Sequence, residues 1–252
     1  MIDIKTAFEK QNQKAVVAFI TAGDPTLQDT ERYIELLQES GVDAIEIGIP
    51  FSDPIAESHF IQEADLRALQ NGVCPDDIFN LLEKIDKKVP FIFMTYANPV
   101  FFYGYERFFA RCQQAGVAGI IIPDIPFEEN AEVKEIAKKY GVAVLDMVAP
   151  VSEKRIQTVC QQAEGFVYLL SDMGTFNIGL ESAVKNAKQV TATPICKEFD
   201  STVEDAVKIA QYTDGVIIGS AIVKIIAQHG ANADAELKKY VTSVVTAVHS
   251  VK

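Results

Sequence analysis

Residues 43 to 62 read DAIEIGIPFSDPIAESHFIQ. A short apolar run, Ala44 to Gly48, carries one acid, Glu46, in its middle. A Gly48-Ile49-Pro50 turn follows, and then a loop that holds Asp53 and Glu57. The pattern predicts a strand, a tight turn and a loop. A carboxylate fixed in a strand and another on a loop that closes over a ligand suit general acid–base chemistry. An acid inside a dry strand is costly unless something requires it, so Glu46 is the first candidate for function.

The same alternation extends along the chain in both directions. Short apolar, β-branched runs occur at 15–21 (AVVAFIT), 44–48 (AIEIG), 91–96 (FIFMTY), 118–122 (AGIII), 143–148 (AVLDMV), 165–170 (GFVYLL), 193–197 (TPICK) and 215–219 (GVIIG). Between them lie longer segments such as LQDTERYIELLQES, YERFFARCQQAG and STVEDAVKIAQY, whose apolar residues recur at three- and four-residue spacing, the period of a helix with one buried face. Parallel strands covered on both faces read as near-continuous apolar runs. Eight such β–α repeats predict a closed (β/α)8 barrel. The alternative, an open doubly wound sheet, brings a glycine-rich nucleotide fingerprint that is absent here. Residues 2–12 are expected to form an extra helix over the barrel floor, and residues 219–228 a short helix after the eighth strand. No linker or composition break interrupts the 252 residues, so one domain over 1–252 is expected.

Composition narrows the function. A net charge of −12 argues against nucleic acid and anionic membrane surfaces. No apolar run is long enough to span a bilayer, and the opening MIDIKTAFEK lacks the features of a signal peptide. Cys74, Cys112, Cys160 and Cys196 are scattered without CxxC spacing, which fits a reducing cytoplasm. With only three histidines and no P-loop or GxGxxG, neither a metal nor another cofactor is expected.

In a barrel of this kind the active site is built at the C-terminal ends of the strands. Glu46, Asp53, Glu57, Asp124, the 171–180 loop, the 198–202 loop and Gly219-Ser220 all fall there on this reading.

The stretch EIGIPFSDPIA also resembles the signature of the tryptophan synthase α-subunit family. AFITAGDP (18–25), MTYANPVFFYG (94–104), IIPDIP (121–126), GFVYLLS (165–171) and GSAIVKII (219–226) resemble that family's motifs in the same order and cover most of the chain. The resemblance implies retro-aldol cleavage of indole-3-glycerol phosphate to indole and glyceraldehyde 3-phosphate, in tryptophan biosynthesis, without a cofactor. It implies that Glu46 handles proton transfer and that Glu57 stands where the family has the aspartate of A-D-G-P. Here that run is Ala56-Glu57-Ser58-His59. Phe19, Met94, Ile121 and Tyr168 match positions that line the indole half of the pocket. Gly219 and Ser220 match part of the phosphate site. Pro50, Asp53, Asn98 and Pro126 match positions at the contact with the β subunit, the implied partner.

The chain departs from the family around the phosphate. Glu198-Phe199-Asp200 stands where the family has G-F-G, and Asp172 with Gly174-Thr175-Phe176-Asn177 replaces a glycine-rich loop. One carboxylate ~5 Å from a phosphate charge would cost ~3 kcal/mol at an effective dielectric near 20. Two further readings are therefore open: a diverged paralogue acting on a substrate without phosphate, and a non-catalytic partner that regulates a β subunit.

Overall fold

The computed structural model describes residues 1–10, 13–170, 179–199 and 202–252. Asp172, Gly174, Thr175, Phe176, Asn177 and Asp200 lie outside the described residues, as do residues 11 and 12 of the expected N-terminal helix.

The predicted (β/α)8 barrel is the observed fold. The strands are β1 (Ala15–Thr21), β2 (Ala44–Gly48), β3 (Phe91–Met94), β4 (Val117–Ile121), β5 (Ala143–Leu145), β6 (Met147–Val148), β7 (Val167–Leu169), β8 (Ile195–Phe199) and β9 (Gly215–Ile218). They form one parallel sheet in the order β5-β4-β3-β2-β1-β9-β8-β7-β6. The expected strand at 143–148 is divided into β5 and β6 at Asp146. β5 pairs with β4, and β6 pairs with β7. The two ends of the sheet thus belong to one segment, which closes the barrel. Asp146 turns outward from this seam, where its carboxylate accepts from Lys134 Nζ (2.7 Å) and Asn130 Nδ2 (2.9 Å) of the flanking helical layer.

Side chains alternate across each strand, and this alternation separates two cores. Val16, Ala18 and Ile20 face the helices, whereas Val17 and Phe19 face the barrel interior. In β2, Ile45 and Ile47 lie in the outer core and Ala44 in the inner one. Glu46 shares the parity of Ala44 and so points inward. In β8, Phe199 packs in the outer core and Cys196 in the inner one, so Glu198 also points inward. The residue was expected in the loop beyond the seventh strand; it belongs to the strand itself.

The extra helix expected over 2–12 is a single 3₁₀ turn, Ile4–Ala7, started by Asp3, whose side chain accepts from the Lys5 amide. Residues three apart eclipse in a 3₁₀ turn, so Ile4 and Ala7 insert together into the inner core. This plug seals the floor: a Cβ at Gly119 would lie 2.7 Å from Ile4 Cδ1. The short helix expected after the last strand runs Ser220–His229.

Candidate active site at the mouth of the barrel

Glu46 is 1% exposed, and its Oε2 has no hydrogen-bond partner among the described residues. Burial is the main reason its pKa is pushed up, to about 8, with the negative charges of Glu198 and then Glu57 adding to the effect. At neutral pH it is therefore mostly a neutral acid aimed into a small cavity. Phe19, Met94, Tyr168, Glu57, Glu198 and Gly219 share that cavity. The space left between them is about 20 Å³, room for about one water, so a larger ligand must displace side chains or the loop.

The loop after β2 carries Glu57 back over Glu46, and Tyr96 determines its path. Tyr96 follows β3, and its ring stacks on Phe51 at a centroid distance of 5.1 Å. Its hydroxyl accepts from the amides of Ile55 (2.9 Å) and Ala56 (3.0 Å) and donates to Glu57 Oε2. Burial raises the Glu57 pKa, and the Tyr96 hydrogen bond works against that rise. At the end of the loop, Ser58 precedes the helix His59–Gln70 without capping it through its side chain. Its hydroxyl lies 2.8 Å from that of Ser220 instead. This contact ties the loop to the start of the helix Ser220–His229, beside Gly219.

Of the four apolar positions singled out in the sequence, Phe19, Met94 and Tyr168 line the cavity, whereas Ile121 lies in the inner core without lining it. Gly48 makes room for one of them, since a Cβ there would lie 2.7 Å from Phe19 Cζ. Pro50 is buried, whereas Asp53, Asn98 and Pro126 are exposed. Asp124 caps the helix Ala97–Tyr103 by accepting from the Ala97 amide at 2.8 Å.

Two neighbours of the site, Tyr96 and Asp65, escaped the sequence reading, and Glu198 was expected on a loop and not on its strand. Tyr96 sits in the MTYANP motif but gave no signal that it would hold a loop 40 residues away. Glu198 had been placed near phosphate; the alternation Cys196–Glu198 along its strand was the available clue to its inward direction. Asp65, on the helix His59–Gln70, is buried with its pKa pushed up to about 8 by burial and then by Glu57. The helical period around Asp65 offered the corresponding clue. Nearby, Arg67 grips the buried Asp24 through two hydrogen bonds of 2.8 and 2.9 Å, fixing this helix to the end of β1.

Comparison with known proteins agrees with this architecture. The family model "Tryptophan synthase alpha chain" matches residues 6–251. The tryptophan synthase alpha chain of Lacticaseibacillus casei is 40% identical, over 100% of this chain and 98% of its own length. That of Methanocaldococcus jannaschii is 40% identical over 88% of this chain and 82% of its own. A crystal structure of the alpha chain from Legionella pneumophila superimposes with a TM-score of 0.89 at 31% identity, covering 98% of this chain and 97% of that one. A chain from the tryptophan synthase a2b2 complex of Pyrococcus furiosus gives 0.84 at 33% identity, covering 93% and 99%. A buried acid on β2, a loop folded over it and a family match along nearly the whole length converge: this chain belongs to the tryptophan synthase alpha chain family.

Proposed function

We propose that the chain is a carbon–carbon lyase of the tryptophan synthase alpha type, splitting indole-3-glycerol phosphate into indole and glyceraldehyde 3-phosphate. The observation that carries this reading is Glu46: a neutral acid, buried, with an oxygen in the barrel mouth that is unpartnered among the described residues. In its protonated form Glu46 gives a proton to C3 of the indole ring, which leaves positive charge on the ring nitrogen. The resulting carboxylate takes the proton of the 3′-hydroxyl as the bond between C3 and C3′ breaks. The bonding electrons return to the ring, the hydroxyl carbon becomes the aldehyde, and Glu46 ends the cycle protonated. Glu57 and Glu198 face the same cavity and offset the positive charge of the intermediate. Phe19 and Met94 supply apolar faces for a flat ring, and Gly219 with Ser220 offers a helix N-terminus to the phosphate.

A β subunit is the proposed partner, at a cytoplasmic site of tryptophan biosynthesis. Asp53, Asn98 and Pro126 are exposed on the active-site side, and Phe101 and Phe102, on the helix that carries Asn98, are 70% and 91% exposed. Large apolar side chains so exposed at one end of a barrel favour a docking surface.

A second reading, a substrate without phosphate, is favoured by the Ser58–Ser220 hydrogen bond, which occupies a hydroxyl otherwise available to an anion. One experiment separates the two: indole release from indole-3-glycerol phosphate by purified protein, with and without a β subunit. Turnover that disappears in Glu46→Gln supports the lyase. Absence of turnover under both conditions rejects it.

A further inference from the structure

The cavity that Glu46 faces leaves about 20 Å³ between its walls, too little for a flat bicyclic ring. A ligand of that size needs one wall to give way. Three of the walls, Ala56, Met147 and Leu170, also line a second cavity of about 260 Å³. Ile122 and Ile125 from the segment after β4, and Val133 from the helix Ala131–Lys139, give this second cavity an apolar lining. Asn130 and Asp146 on its surface are hydrogen-bonded to each other at 2.9 Å, so an apolar group can enter without stranding them.

The three shared walls are not equally able to move. Ala56 carries a single methyl group, and its amide is held by the Tyr96 hydroxyl at 3.0 Å. The Leu170 amide donates to the Val148 carbonyl at 2.9 Å, and the Leu170 carbonyl accepts from Lys197 Nζ at 3.3 Å. Met147 stands on β6, a strand of two residues at the end of the sheet order, paired with β7. It is partly buried and packs against the inner core. Its unbranched thioether changes rotamer at little cost and fills irregular spaces. Met94, the other flexible wall, is 7% exposed and lines the Glu46 cavity without lining the second one.

We propose that Met147 is the gate of the ligand site: a flat bicyclic ring enters by driving the Met147 side chain out of the Glu46 cavity and into the neighbouring one. The identity of the ring rests on the lyase reading. The second cavity then shapes specificity although no ligand atom has to touch it, because whatever fills it keeps Met147 in the first.

The test is a double-mutant cycle on indole affinity. The chain contains no tryptophan, so indole fluorescence is read without that background. Ala149→Leu and Ile125→Phe each add bulk at a position that lines the second cavity and not the first. Either change should weaken indole binding roughly 10-fold or more while Met147 is present. In Met147→Ala no side chain has to withdraw. Indole should bind that variant at least as tightly as wild type, and the same two changes should cost it less than about 2-fold. Circular dichroism confirms folding. Met147→Val replaces the alanine variant if that one does not fold, with a reduced loss as the expected result, and either filling variant alone completes the cycle. The proposal is overturned if wild type binds no indole, if the filled variants lose no affinity, or if the loss is the same in both backgrounds. Turnover of indole-3-glycerol phosphate is measured alongside. Coupling through Met147 without turnover removes the lyase reading and leaves the gate standing, while turnover without coupling does the reverse.

Discussion

The Tyr96 hydroxyl binds three parts of one loop at once, donating to the Glu57 carboxylate while accepting from the Ile55 and Ala56 amides. A residue at the end of β3 thereby decides where a carboxylate of the β2 loop sits. Removing the hydroxyl in Tyr96→Phe leaves two amides and a carboxylate to find water, at a cost of about 1–3 kcal/mol. The loop should open more often. We expect kcat/KM for the lyase reaction to fall roughly 10-fold and cleavage between residues 51 and 58 to accelerate in limited proteolysis. Glu57→Gln should have a similar effect, and the two changes combined should cost clearly less than their sum. Full additivity would show that the pair does not act as a unit. Glu57→Asp, one methylene shorter, should also lose the Tyr96 contact and lower activity.

The pH dependence of stability follows from Glu46. Its pKa is raised from 4.5 to about 8 in the folded protein. Between those values the unfolded chain has released the proton and the folded protein still holds it. Stability attributable to this group is complete below pH 4.5, falls as pH rises, and reaches its floor near pH 8. Glu46→Gln is neutral throughout. Its stability relative to wild type should therefore climb across that window and level off above it, by a few kcal/mol in total. Urea titrations at a series of pH values measure the difference; a flat difference would mean that the acid is not held protonated.

Activity should follow the same proton. Because the first step needs Glu46 protonated, kcat/KM should decline above about pH 8. In Glu46→Gln turnover should fall by roughly 10²-fold or more and lose that decline. A wild-type profile still rising at pH 9 would contradict Glu46 as the proton donor.

The link between Ser58 and Ser220 makes a prediction about anions. An incoming phosphate must break a 2.8 Å hydrogen bond to reach the Ser220 hydroxyl. Ser58→Ala removes that competitor, so glycerol phosphate should bind about 3- to 5-fold more tightly, the net scale of one hydrogen bond. Calorimetry with the two proteins gives the comparison, and unchanged affinity would place the anion elsewhere.

For the partner surface, Asp53 and the exposed Phe102 are the positions to change. Asp53→Lys and Phe102→Ala should each weaken association with a β subunit by 10-fold or more, about 1.4 kcal/mol. Light scattering or calorimetry reads the complex, and equal affinity in both variants would move the interface off this face.

The sequence by itself determined the barrel, because that information is local and repeated. Apolar runs with no polar face, such as AVVAFIT, require burial on both sides, and helical periods between them leave one architecture. It also singled out Glu46, because an acid within AIEIG cannot face a helix layer cheaply. What it could not settle was which distant groups share a cavity. Glu198 follows a strand boundary that the residues alone put two positions too early, and shifting a residue from loop to strand changes where its carboxylate points. Tyr96 and Glu57, or Ser58 and Ser220, meet only because closing the sheet brings the ends of different strands onto one rim. Pro50 reads as surface punctuation until the end of β2 is packed against its neighbours. Periodicity states which face of an element is dry; only the closed barrel states which dry faces meet around Glu46, and it is that meeting which raises its pKa and gives the site its chemistry.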